Sequence, residues 1–233
     1  MNSATDITLK QIGHLERVTL GERVYLELRQ LLMAGKLVPG EKLSLRFVAE
    51  ALGVSMMPVR EAVARLVAEG ALTVLPNRAV SVPPMSQSKL RELTQIRIEV
   101  EGYAAQEAAL AHSAPALKRI TELDAAFRAA VLSQDGDVEQ ALRLNKELHF
   151  AVYEAAGLPI LTSIIESLWL KVGPVINLDL RASQRLATGG AERYHGALVE
   201  ALSARDGKAA RKALAGDIRS SSEFILTTWQ LPE

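Results

Sequence analysis

Ala49-Glu50-Ala51-Leu52-Gly53-Val54-Ser55-Met56-Met57-Pro58-Val59-Arg60-Glu61-Ala62 decides how this chain is read. Gly53 is a helix stop, because glycine accepts the left-handed conformation that closes a helix. Ser55 is an N-cap residue type, and Pro58 falls in the next helix's first turn, where its missing N–H costs nothing. Val59, Val63 and Leu66 then continue an apolar stripe to Gly70. Upstream, Ser44 is placed to cap a short helix through Phe47, Val48 and Leu52. Two short helices joined by a tight glycine turn form a helix-turn-helix, whose second helix is offered to the DNA major groove.

The flanks extend this unit. From about Leu15 to Met33 the residues Val18, Val24, Leu28, Leu31 and Leu32 recur at helical spacing and Gly35 supplies a stop, which predicts a preceding helix. Leu37-Val38-Pro39-Gly40 reads as a turn. Leu72 to Val82 is β-branched on both sides of Pro76-Asn77 and predicts a two-stranded hairpin. Three helices and a hairpin make a winged helix. Pro83-Pro84-Met85-Ser86 propagates neither helix nor central strand and reads as a linker. The expected division is a DNA-binding domain over residues 1–84, with 1–14 a flexible tail, and a second domain over 85–233.

Beyond Ser86 the chain is rich in Ala, Leu, Glu, Arg and Gln, with breaks at Ser113-Ala114-Pro115, Gln134-Asp135-Gly136-Asp137, Gly157-Leu158-Pro159, Thr188-Gly189-Gly190 and Arg205-Asp206-Gly207. These predict an antiparallel bundle of about six helices, the fourth kinked at Gly173-Pro174. The fold class is therefore mostly α. In bulk the 233 residues are 48% apolar and 23% charged, which is ordinary globular composition. The absence of an eighteen-residue apolar run and of a signal-peptide pattern predicts a cytoplasmic protein with no membrane partner. There is no cysteine, so disulfides, thiolate metal sites and cysteine nucleophiles are excluded. Net charge is zero; ten Lys and Arg stand against eight Asp and Glu before Pro83, and seventeen against nineteen after it. Any contact with phosphate must come from a local patch.

Pro39-Gly40-Glu41-Lys42-Leu43, Gly53-Val54-Ser55, Pro58-Val59-Arg60-Glu61-Ala62 and Glu69-Gly70 closely resemble the GntR family of bacterial transcription regulators. The helical remainder resembles the FadR-type branch of that family, with its C-terminal FCD domain. The resemblance implies a homodimeric regulator, by predominance a repressor, that binds double-stranded operator DNA and responds to a small effector, a carboxylate metabolite. Carried over by position, the DNA contacts fall on Arg46, Ser55, Met56, Met57 and Arg60, with Arg78 in the wing. Many relatives have Arg and Thr where this chain has Met56 and Met57; methionine donates no hydrogen bond and offers a thymine methyl only apolar contact. Relatives also carry Arg-Gly where this chain has Arg78-Ala79, and Ala79 disfavours a positive φ.

The FCD resemblance further implies a metal site at Asn145, His149, His195 and Asp217, where relatives have Asp, His, His and His. Asn145 and His149 are one helical turn apart and share a face. Two imidazoles, one carboxylate and an amide oxygen suit Zn, Ni, Mn or Fe; a polar cavity without metal is the alternative. Arg97 matches an arginine lining the same cavity and is the expected effector contact, with Glu101 as an internal salt-bridge partner. Tyr103 and Tyr153 read as core or interface, and His14 and His112 as solvated. Two other functions are weighed: a regulator for which the metal itself is the signal, and a metal-dependent hydrolytic enzyme, against which stands the lack of a general base, nucleophile elbow or phosphate loop.

Overall fold

A computed structural model of the chain describes residues 19–132, 138–181 and 190–233. The first helix, α1 (Leu20–Met33), is capped by the Thr19 hydroxyl, which accepts from the Glu22 N–H at 3.1 Å. Residues 1–18, and with them the expected tail, Val18 and His14, lie outside the described residues. Strand β1 (Lys42–Leu43) precedes α2 (Leu45–Leu52), which Ser44 caps through the Phe47 N–H at 3.3 Å. Gly53 closes α2 in the left-handed region at φ 64°, and α3 (Met56–Ala68) follows at once. Val24, Leu28 and Leu32 of α1 bury against Val59, Val63 and Leu66 of α3.

Strands β2 (Thr73–Val74) and β3 (Val80–Ser81) form the expected hairpin, but the sheet has three strands in the order β1-β3-β2, all antiparallel. The turn-like Pro39-Gly40 run hid β1, which pairs Lys42 with Ser81 and Leu43 with Val80. In the hairpin turn the positive φ falls on Arg78, at 64°, rather than on Ala79. The Asn77 carboxamide stabilises the turn by accepting from the Ala79 N–H at 3.1 Å.

The remainder comprises α4 (Gln87–Ala111), α5 (Ala114–Leu132), α6 (Val138–Ala155), α7 (Pro159–Arg181), α8 (Gly190–Ser203) and α9 (Gly207–Thr228). Of the expected breaks, residues 134–137 and 188–189 lie outside the described residues. Helices α4 and α9 form the most extensive pair and run antiparallel: Gln87 N–H donates to Pro232 O at 2.7 Å, Thr94 to Ser222 at 2.8 Å, and Gly207 packs on Gln106. One helix among the described residues contains a stretch long and apolar enough to cross a membrane, Pro159–Ile176, and half of that stretch is buried inside the protein.

Helix α7 continues through Gly173-Pro174. Gly173 serves a contact: a Cβ there would stand 2.6 Å from Leu32 O and 2.9 Å from Met33 Cα. Only glycine lets the C-terminal end of α1 lie this close to α7. Around the contact, Arg29 pairs with Glu166 at 2.7 Å, Lys36 with Glu139 at 2.5 Å, and Lys146 donates to Gln30. The winged helix is thus seated on α6 and α7 through α1.

Candidate functional site

The helix-turn-helix presents its outer surface to solvent. Arg46, Phe47, Ser55, Met57, Arg60 and Arg78 are exposed, and Met56 is half-buried. Arg46 makes a surface pair with Glu50 at 3.1 Å. Ser55 occupies the N-cap of α3 in extended geometry, yet its hydroxyl makes no capping hydrogen bond. The expected N-cap position holds, with the hydroxyl at the positive end of the helix, where a phosphate oxygen is favoured. Phe47, one of the apolar residues of the expected short helix, is 69% exposed beside Arg46, and Met57 is 64% exposed. Helical spacing does not separate an inward phenylalanine from an outward one in a two-turn helix.

Two further charges in this half, Arg65 and Glu61, tie α3 to α1. Arg65 lies over the Tyr25 ring at 3.6 Å and pairs with Glu22 at 2.7 Å, tying α3 to α1. The Glu61 carboxylate sits where a Cβ on Gly21 would be, 2.5 Å away, at the N-terminal end of α1, a site that favours negative charge.

The bundle interior holds the second set. Asn145 and His149 of α6, His195 of α8 and Asp217 of α9 are all buried. One donor atom each from His149, His195 and Asp217 lies within 4.8 Å of the others. The His149 and His195 rings stand 5.4 Å apart, nearly edge to face. His149 Nε2 approaches Asp217 Oδ2 to 3.3 Å without the alignment of a hydrogen bond. That spacing suits two donors sharing an ion with bonds of about 2.0–2.1 Å, and the donor set is chemically acceptable to zinc and its neighbours.

A buried polar chain backs the cluster. His149 Nδ1 lies 3.0 Å from the Tyr153 hydroxyl, which donates to Glu101. Glu101 also accepts from Arg97 Nε at 2.5 Å and Nη2 at 3.1 Å, and from Trp169 Nε1 at 3.3 Å. Desolvation disfavours the Arg97 charge, but Glu101, Tyr153 and Asp217 outweigh it and hold the guanidinium above its ordinary pKa. Burial, reinforced by Glu101, pushes the Tyr153 phenol well above its usual range. Tyr153 is therefore core with a polar task, while Tyr103 is exposed. His112, expected to be solvated, is buried at the end of α4, its Nε2 2.9 Å from Leu202 O, because the α4–α5 corner packs onto α8. The sequence pointed to Glu101 only as a partner for Arg97 and offered no signal joining Tyr153 to His149 beyond their spacing of one helical turn.

A helix-turn-helix with an exposed second helix, seated on a helical domain with a polar interior, defines a DNA-binding transcription regulator. The profile of the bacterial regulatory proteins of the gntR family matches residues 20–82, and that of the FCD domain matches residues 92–220. The chain belongs to the GntR family, in the group that carries an FCD domain. It is 35% identical over 204 residues to the HTH-type transcriptional regulator McbR of Escherichia coli K12, covering 87% of this chain and 91% of McbR. The solved structure of E. coli McbR/YncC superposes with a TM-score of 0.84 at 31% identity, covering 92% of this chain and 100% of the other. The HTH-type transcriptional repressor RspR of E. coli K12 is 24% identical over 208 residues, 88% of this chain and 89% of RspR. GntR regulators bind operator DNA and FCD domains bind small-molecule effectors; the chain is a regulator and not an enzyme.

Proposed function

We propose that the protein is a cytoplasmic, homodimeric repressor whose operator affinity is set by a small carboxylate bound at a divalent metal in the FCD domain. The division falls at the Pro83-Pro84 linker, with residues 1–84 reading DNA and 85–233 sensing the effector and dimerising. Arg46, Ser55, Met56, Met57, Arg60 and Arg78 meet the operator: the arginines supply phosphate or guanine contacts, and Met57 supplies apolar contact to a thymine methyl. The observation that carries the DNA half is the exposure of Met57 and Arg60 on α3, whose opposite face buries Val59, Ala62, Val63 and Leu66, with Arg46 exposed on the neighbouring α2.

For the sensing half, the convergence of His149, His195 and Asp217 supports a divalent metal, with Asn145 as a fourth donor. The metal would supply a Lewis-acidic anchor for the effector carboxylate. Arg97 borders the same interior and shares its guanidinium between Glu101 and the effector. Repression is favoured because RspR, a relative over most of the chain, is named a repressor. Dimerisation is supported by exposed Ile96, Tyr103 and Leu110, spaced seven residues apart along α4, and by the gain when two recognition helices read two half-sites.

The route between sites is short. Helix α6 carries Asn145 and His149 inward, while Lys146 on the same helix reaches Gln30 of α1. An ion or effector that shifts α6 acts directly on the seat of the winged helix.

Anisotropy titration of DNA from upstream of the protein's own gene tests the proposal, using wild type and His149→Ala with Zn(II) or Ni(II) and small carboxylates. The expected result is salt-dependent operator binding that changes about 5–150-fold with effector in wild type and not in the variant. Operator affinity indifferent to every metal and carboxylate would overturn the sensing half. A response to metal alone favours the second reading, a regulator for which the ion is the signal.

A further inference from the structure

Glu101 is wholly buried on α4, and its carboxylate gathers four donors: two from Arg97, one from Trp169 and the Tyr153 hydroxyl. Its oxygens accept at every one of these contacts, from the guanidinium in two places, from the indole and from the phenol. The proton in the Tyr153–Glu101 hydrogen bond therefore belongs to Tyr153. The hydroxyl is aimed at Glu101 Oε2, which fixes it as the donor in that bond.

With that proton committed, the Tyr153 oxygen can only accept from His149 Nδ1, 3.0 Å away. A neutral imidazole carries one N–H, and here it must be on Nδ1. The lone pair then lies on Nε2, the atom facing Asp217 Oδ2 at 3.3 Å. A lone pair set against a carboxylate is repulsive unless a cation lies between them.

We propose that Glu101 and Tyr153 are positioning residues that lock His149 in the tautomer presenting Nε2 to a divalent cation shared with His195 and Asp217. This rests on the metal reading of the cluster and extends it to two residues outside the ligand set. Outer partners of this kind hold ring orientation and raise ligand basicity, and their loss costs about 10–100-fold in metal affinity. Arg97 and Trp169 act one step further back, by holding the Glu101 carboxylate in place.

The test uses the metal-stripped full-length protein. Zn(II) alone is titrated calorimetrically against a competing chelator into wild type and Tyr153→Phe, with far-UV circular dichroism reporting the fold. The expected result is one site per chain in both, weakened about 10–100-fold in the variant. In parallel, long-range 1H–15N spectra of the histidine rings at pH 8 read the tautomer directly, which a purely structural role for the hydroxyl would not move. His149 is expected as the Nδ1–H form in wild type and as a mixture in Tyr153→Phe.

Equal Zn(II) affinity in the two proteins overturns the positioning role while leaving the metal reading intact. A wild type that binds no Zn(II) overturns the metal reading. His149 protonated on Nε2 alone in wild type overturns the proposal even if the variant does not fold.

Discussion

The winged helix and the bundle place their polar side chains in opposite surroundings. On α2 and α3 most side chains assigned to DNA stand in solvent: Arg46 is 86% exposed and pairs with Glu50 at the surface. In the bundle, Arg97, Glu101, Tyr153 and His149 are buried and joined in one chain of hydrogen bonds, with buried Asp217 3.3 Å from the far side of the His149 ring. An exposed pair contributes a few tenths of a kcal/mol, so the first surface is free to serve a ligand. A buried charge left without its partner costs several, so the second set is bound up with the fold. Substitutions on the two surfaces should therefore divide cleanly between loss of binding and loss of stability.

The largest expected effect is at Glu101. Glu101→Ala strands the Arg97 guanidinium in the interior and should destabilise the protein by about 3–5 kcal/mol in chemical denaturation. A loss under about 1 kcal/mol would mean that water reaches Arg97. Next is Gly173→Ala, which drives a methyl into Leu32 O and Met33 and should cost about 1–3 kcal/mol while loosening α1 from α7. Proteolysis at the Pro83-Pro84 linker should rise with it; unchanged cleavage would mean that the seat tolerates the shift.

The smallest effect on stability is expected on the DNA-facing side. Phe47→Ala should change unfolding free energy by no more than about 0.5 kcal/mol, because the ring is already in solvent. It should nonetheless weaken operator binding, through loss of an apolar surface beside Arg46. A clear drop in Tm would return Phe47 to the core.

The same contrast explains what was legible in the sequence. Gly53, Ser44, Pro58 and the Val59-Val63-Leu66 stripe act over one or two helical turns, so the helix-turn-helix could be read from local spacing, while its DNA-facing residues came from the family resemblance. The six bundle helices followed in the same way from their breaks. Strand β1 could not, because two residues become a strand only when Ser81 and Val80 arrive from elsewhere in the chain. The ligand cluster draws on α6, α8 and α9, and the chain behind it on α4 and α7. No single stretch holds that pattern, and resemblance supplied the cluster's members without Tyr153. His112 was misread for a related reason: its partner, Leu202 O, is ninety residues away.

The most direct test of the account is the affinity of Arg60→Ala for operator DNA from upstream of the gene, measured by anisotropy at several salt concentrations beside a scrambled duplex. Arg60 is exposed on α3, outside the buried face of that helix. The account predicts unchanged Tm with specific affinity reduced about 5–150-fold, corresponding to about 1–3 kcal/mol. Full sequence-specific affinity in the variant would contradict it.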